Sequence, residues 1–120
     1  MVYFIRARMH YQYGKDLLEE LLGKKKELTF ALLRDIYLQG LKALYALSEV
    51  RQKERSPSPE EMLTKVLPSL NEEEKRKVLQ LKEIFLSSKE GEKESPNLRD
   101  LLEEVKDFIR MVEKCLQPIL

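Results

Sequence analysis

Residues 28–50 are the most apolar stretch of the chain, and their hydrophobic positions follow no single helical face. At about 100° per residue, large apolar side chains cover most of a helix here and leave a narrow polar wedge at Asp35, Gln39, Lys42 and Glu49. A helix that is apolar on most sides must be surrounded by other helices or by a second copy of the chain. We therefore expect a helical bundle built around this segment.

A first helix is predicted over residues 2–22, because apolar residues recur there with helical spacing on one face. Gly14 lies inside it and indicates either a bend or a close approach by a neighbouring backbone. Gly23, followed by three lysines, predicts the end of the helix, since glycine tolerates the left-handed conformation at that position. The central helix is expected to start near Glu27, so the two helices are joined by a short connection and should be antiparallel.

Three N-cap signals divide the second half of the chain. Ser58 before Pro59 predicts a short helix of about ten residues, Asn71 with Glu74 predicts a capping box and a helix to about residue 88, and Asn97 predicts the cap of the last helix. In the helix that starts after Asn71, the predicted buried positions are Val78, Leu79, Leu81, Ile84 and Phe85. In the last helix they are Leu98, Leu101, Leu102, Val105, Phe108, Ile109, Val112 and Leu116. Residues 88–96 contain no apolar side chain and are expected to form a flexible loop.

The β-branched residues are few and nowhere clustered, so no strand competes with these helices. The sequence therefore predicts an all-α fold, an up-and-down antiparallel bundle of four long helices plus one short helix. With 120 residues, the chain is expected to form a single domain over 1–120.

Composition narrows the class of protein. No apolar run is long enough to cross a membrane, and a single cysteine, Cys115, predicts a reduced, cytoplasmic protein. The net charge of +1 argues against a globally basic nucleic-acid-binding protein. Abundant Glu and Lys with few Gln, Asn and His residues are typical of heat-adapted organisms.

The only histidine, His10, leaves too few ligands for a zinc site built from His and Cys. The chain also lacks the HExxH, GxSxG, P-loop and GxGxxG motifs. We therefore expect no metal, no cofactor and no catalytic residue. His10 is predicted to be a core-edge histidine that is hydrogen-bonded to a neighbour, and a nuclease built around His10 and Arg6 is the alternative.

Two sets of residues are candidates for binding. Leu38 and Tyr45 lie beside the polar wedge of the central helix, with Asp35 and Lys42 next to them, and a partner must cover them if the other helices do not. The second set lies on the first helix, in the stretch YFIRARMHYQYGK (3–15), where cations and aromatics alternate without an acid. Such residues neutralise phosphates and stack on bases; the set comprises Arg6, Arg8, Tyr11, Tyr13 and Lys15.

Two segments carry a family resemblance: FALLRDIYLQGLKALYAL (30–47), with Arg34, Tyr37, Lys42, Ala43 and Leu44, and DFIRMVEKCL (107–116). Together with the order of the elements, they resemble the HEPN family of small helical proteins over residues 27–117. The resemblance implies a helical bundle that dimerises and often accompanies a minimal nucleotidyltransferase. The family's Arg-x4-His motif is absent, since Ile5 stands five residues before His10 and no histidine follows, so the resemblance implies no ribonuclease activity.

The leading hypothesis is a non-catalytic helical-bundle protein that acts through homodimerisation or by binding a protein partner. Such a protein would serve as an accessory subunit in a nucleotidyltransferase or toxin–antitoxin type of system. The alternative is RNA or DNA binding through the first helix.

Overall fold

A computed structural model describes residues 2–48, 58–86 and 97–119 of the protein. This part of the chain is all-α and contains no strand, which confirms that the fold is helical. The helices are α1 (Val2–Leu22), α2 (Phe30–Ser48), α3 (Pro59–Val66), α4 (Glu72–Phe85) and α5 (Leu98–Leu116), with short 3-10 segments at Leu67–Ser69 and Gln117–Ile119. The predicted loop 88–96 lies outside the described residues, as does the charged run RQKER (51–55), in which the sequence predicts that the central helix ends.

The three predicted N-caps are confirmed. The Ser58 hydroxyl accepts a hydrogen bond from the Glu61 amide at 3.2 Å, and the Glu61 carboxylate accepts one from the Ser58 amide at 3.3 Å. Asn71 and Glu74 exchange the same pair of bonds at 2.8 and 2.9 Å. Asn97 accepts from two amides at the start of α5. These side chains satisfy amides that a helix leaves unpaired at its first turn, so the three starts are encoded locally.

The central helix starts three residues later than the sequence predicts, at Phe30 instead of near Glu27. The Thr29 hydroxyl accepts a hydrogen bond from the Leu32 amide at 3.1 Å. This threonine therefore supplies the capping oxygen that defines the start of the helix.

The turn after α1 corrects one prediction. Gly23 was expected to take the left-handed conformation, but Lys24 takes it, with φ 63°. The Gly23 amide still donates to the Glu19 carbonyl at 2.9 Å, so the helical hydrogen bonding continues to the glycine. The backbone enters the left-handed conformation one residue later, at Lys24. The Lys25 amide then donates back to the Glu20 carbonyl at 2.8 Å. This bond helps to hold a conformation that costs a residue with a Cβ about 1–2 kcal/mol.

The core lies around α2, which contacts α1, α3 and α5. Its centre is an aromatic cluster in which the ring of Tyr37 lies 5.0 Å from that of Phe108 and 5.4 Å from that of Phe85, with Phe30 against Phe85 at 5.2 Å. The buried Tyr37 hydroxyl donates to the Val78 carbonyl at 3.1 Å. One side chain of α2 therefore links helices α4 and α5.

Two glycines allow helices to approach each other closely. A Cβ on Gly40 would lie 2.5 Å from the Phe108 ring, so α2 and α5 are in direct contact there. A Cβ on Gly14 would lie 3.2 Å from the Gln39 Cβ and 3.6 Å from the Ile36 carbonyl oxygen. Of the two roles predicted for Gly14, the structure therefore shows close approach of a neighbouring backbone.

The predicted buried face of α4 is wrong at one position. Val78, Leu81 and Phe85 are buried and Ile84 is half-buried, but Leu79 is exposed. Leu79 follows Val78 and is rotated about 100° from it around the helix, beyond the narrow face that α4 presents to the core.

Candidate functional site

Three large apolar side chains of α1 are each more than half open to solvent. Ile5, Met9 and Tyr13 are 56%, 53% and 55% exposed. A spacing of four residues places them in one row along the helix. We call this row the α1 stripe.

The α1 stripe contains two residues that the candidate sets missed, Ile5 and Met9. Their spacing of four residues was visible in the sequence, and Tyr13 continues it. The candidate set on the first helix comprises only cations and tyrosines, so it leaves out the aliphatic side chains of that helix.

A hydrogen bond between α1 and α2 borders this surface. The His10 Nδ1–H donates to the Gln39 Oε1 at 2.8 Å, and both residues are half-buried. Burial lowers the pKa of His10, the bond to Gln39 opposes that shift, and the positive charges of Lys42 and Arg6 add to it. The structural role predicted for His10, a core-edge histidine bonded to a neighbour, is confirmed.

The candidate residues of α2 lie on the other side of this bond. Asp35 is exposed, Lys42 is half-buried, and Leu38 and Tyr45 are half-buried and packed against the core. The buried Tyr45 hydroxyl has no hydrogen-bond partner among the described residues. Leu38 and Tyr45 therefore belong partly to the core and partly to the surface, and Lys42 and Arg6 both lie close enough to His10 to act on its charge.

Tyr11 occupies a different position from the rest of the first-helix set. It is only 4% exposed, and the Lys15 ammonium lies 5.9 Å from the centre of its ring. Burial raises the pKa of Tyr11, with a further contribution from Glu113 on α5. The ring is therefore enclosed between α1 and α5 and is not presented for stacking.

The cations of the same set lie on two sides of α1. Arg6 and Tyr13 fall beside the α1 stripe, whereas Arg8 and Lys15 are rotated from them by about 140–180° at 100° per residue. The structure therefore brings Arg6 and Tyr13 together and separates them from Arg8 and Lys15.

An open groove of about 740 Å³ runs between α4 and α5. Basic and acidic side chains alternate along its walls: Arg76, Lys77, Arg110 and Lys114 with Glu73, Glu74, Asp107 and Glu113. Lys77 pairs across the helices with Glu104. Charges of both signs neutralise each other here, so the groove presents no concentrated charge to a ligand.

In the part of the chain that the structure describes, Cys115 and the carboxylates are not arranged as a metal site or as an activated nucleophile. Burial, and then the charge of Glu74, raise the pKa of the Cys115 thiol, which makes it a weaker nucleophile. Among the described residues, no three His, Cys, Asp or Glu side chains are grouped as metal ligands would be. In the same residues, no helix combines the length and the apolar character that a membrane span needs.

Comparisons with known proteins found no matching family model, no matching curated protein and no matching solved structure. The geometry of α1 and α2 is therefore the basis for a functional proposal.

Proposed function

We propose that this protein is a non-catalytic helical-bundle module that acts by protein association, as a homodimer or with a partner subunit. The observation that carries the proposal is the α1 stripe, three large apolar side chains in one row that are each more than half exposed. Contiguous apolar surface on a folded protein marks contact sites more often than scattered single residues do. Covering the open half of each side chain would contribute about 1 kcal/mol per residue.

The neighbouring surface of α2 supports the same proposal. Asp35 and Lys42 provide charges at the edge of the apolar row, where interfaces are usually polar. Leu38 and Tyr45 are left half-covered by the helices of their own chain. A partner lying on α1 would extend over this wedge.

The proposal includes an up-and-down antiparallel arrangement of the bundle. It is supported by contacts between α1 and α2, because His10 meets Gln39 while Gly14, one turn later, meets Ile36, one turn earlier. It also includes a HEPN-like relationship, a role as accessory subunit of a nucleotidyltransferase or toxin–antitoxin type of system, and a cytoplasmic location. The single cysteine, Cys115, is consistent with that location.

The test is the mass of the protein in light scattering at tens of micromolar. We expect wild type to exceed the mass of one chain, and the triple variant Ile5→Gln/Met9→Gln/Tyr13→Gln to fall to one chain. The matched control is Leu22→Gln/Leu79→Gln, which removes exposed leucines elsewhere and should keep the wild-type mass.

Circular dichroism checks that each variant stays helical. A wild-type protein that is strictly monomeric contradicts the proposal. A triple variant that associates as wild type does would show that the α1 stripe is not the contact surface.

A further inference from the structure

The charges on α1 are unevenly distributed along its length. Residues 2–10 contain Arg6 and Arg8 and no acid, whereas Asp16, Glu19 and Glu20 follow in the second half. Seen around the helix, Arg6 and Asp16 lie within about 60° of the centre of the α1 stripe, while Arg8 and Glu19 lie about 80–100° from it, on the flank away from Arg6. The surface that carries the apolar row is therefore positive near one end and negative near the other.

These opposite charges do not meet within one chain. Ten residues of helix separate Arg6 from Asp16, about 15 Å along the axis. Among the described residues, Arg6 and Lys42 make no ion pair, and Asp16 only accepts a hydrogen bond from Gln12 at 2.9 Å. Within one chain, Arg6 at the positive end therefore has no acidic partner in the described part of the structure, and Asp16 at the negative end has no basic one.

We propose that a second copy of this chain covers the α1 stripe, with the two α1 helices antiparallel and Arg6 of each copy facing Asp16 of the other. The inference rests on the proposed function and specifies its partner. A two-fold axis makes every contact occur twice. A parallel pairing would place Arg6 against Arg6 and Asp16 against Asp16, so the charges select the antiparallel orientation.

The same register pairs the apolar side chains. The midpoint between Arg6 and Asp16 is position 11, so Met9 of one copy lies opposite Tyr13 of the other. A methionine sulfur beside an aromatic ring is a favourable contact. Lys42, which adjoins Arg6 around His10, adds positive charge near the acidic end of the second helix.

The experiment reverses the two charges separately and together, with light scattering over a concentration series. Arg6→Glu and Asp16→Arg should each weaken dimerisation by about tenfold or more, because each places like charges together twice. The double variant Arg6→Glu/Asp16→Arg recreates the opposite-charge pair and should return close to wild-type dimerisation. Raising the salt concentration should reduce all of these differences.

The matched controls are Arg8→Glu, Glu19→Arg and their combination, which make the same charge changes outside the row, on the flank of α1 away from Arg6 and Tyr13. We expect all three to dimerise like wild type. A second measurement mixes Arg6→Cys with Asp16→Cys chains, both also carrying Cys115→Ser, under oxidising conditions. Disulfide-linked dimers of the mixture should exceed those of either chain alone.

The outcomes separate this inference from the proposed function. If wild type is dimeric and the glutamine triple variant is not, but Arg6 and Asp16 reversals behave like their controls, the antiparallel pairing is wrong and association through the stripe stands. A double variant that stays monomeric also overturns the pairing. A monomeric wild type overturns both, and salt-dependent binding of a labelled RNA strand that Arg6→Glu abolishes would then assign the surface to nucleic acid.

Discussion

The contact between α2 and α5 and the contact between α1 and α2 both depend on a glycine, yet they differ in character. At Gly40 the ring of Phe108 fills all available space, and the surrounding side chains are apolar and buried. At Gly14 the neighbour is the Cβ of half-buried Gln39, whose amide oxygen is bonded to His10. The first contact is closed and dry, whereas the second opens to the surface that carries the α1 stripe. The difference separates a contact that holds the fold from one that adjoins the proposed binding surface.

The largest expected effect is at the glycines. A Cβ at position 40 would lie 2.5 Å from the Phe108 ring, so overpacking in Gly40→Ala should cost about 2–3 kcal/mol, the upper part of the usual range. The gain in helix propensity returns about 1 kcal/mol, so we expect a net loss of about 1–2 kcal/mol in unfolding free energy. At Gly14→Ala the milder contact and the same propensity gain nearly cancel, so the change should stay within about 0.5 kcal/mol. Urea denaturation measures both.

The control places Gly40→Ala in a Phe108→Leu background, where the added methyl group no longer meets a ring. The cost of Gly40→Ala should shrink or change sign there. Equal losses at Gly14 and Gly40 would erase the distinction between the two contacts.

Smaller changes in unfolding free energy, of opposite sign, are expected at two tyrosines of α2. Tyr37→Phe removes the hydrogen bond to the Val78 carbonyl and should cost about 1 kcal/mol. Tyr45→Phe removes a buried hydroxyl that has no partner among the described residues and should leave stability unchanged or raise it by up to about 1 kcal/mol. Thermal and urea unfolding give both values, and a destabilised Tyr45→Phe protein would show that its hydroxyl is bonded in the folded protein.

The smallest effect is the pH dependence from His10. Its pKa is lowered in the folded protein, so the unfolded chain binds a proton more readily. Stability from this group is therefore fully present above the ordinary histidine pKa of about 6.5 and is lost as the pH falls below it. His10→Gln should flatten the dependence of unfolding free energy on pH between about 7.5 and 5.5. A wild-type profile that this variant leaves unchanged would mean that carboxylates alone set the slope.

The sequence was sufficient where structure depends on neighbours in the chain. Capping at Ser58, Asn71 and Asn97 needs only residues within three positions, so these helix starts were predicted correctly. Tyr11 and Tyr13 show where such reasoning ends. Both were candidates for the same surface, but Tyr11 is buried against α5 and Tyr13 is exposed. The sequence of α1 alone does not predict which side of the helix α5 covers.

The same limit applies to the candidate site. The apolar spacing of Ile5, Met9 and Tyr13 was present in the sequence, but which apolar row of α1 turns inward depended on the packing of α2 and α5. Half-coverage of Leu38 and Tyr45 likewise results from several helices together. Local signals therefore define the elements, and the assembled bundle defines which surface they leave open.

The contact between Gly40 and Phe108 also has an evolutionary consequence. A side chain at position 40 and a large ring at position 108 compete for the same space, so the two positions are constrained as a pair. In related chains that keep this packing, a residue larger than glycine at 40 should be accompanied by a smaller one at 108. Covariation between these two alignment columns would then mark the descent of the fold even where the exposed surface of α1 has diverged.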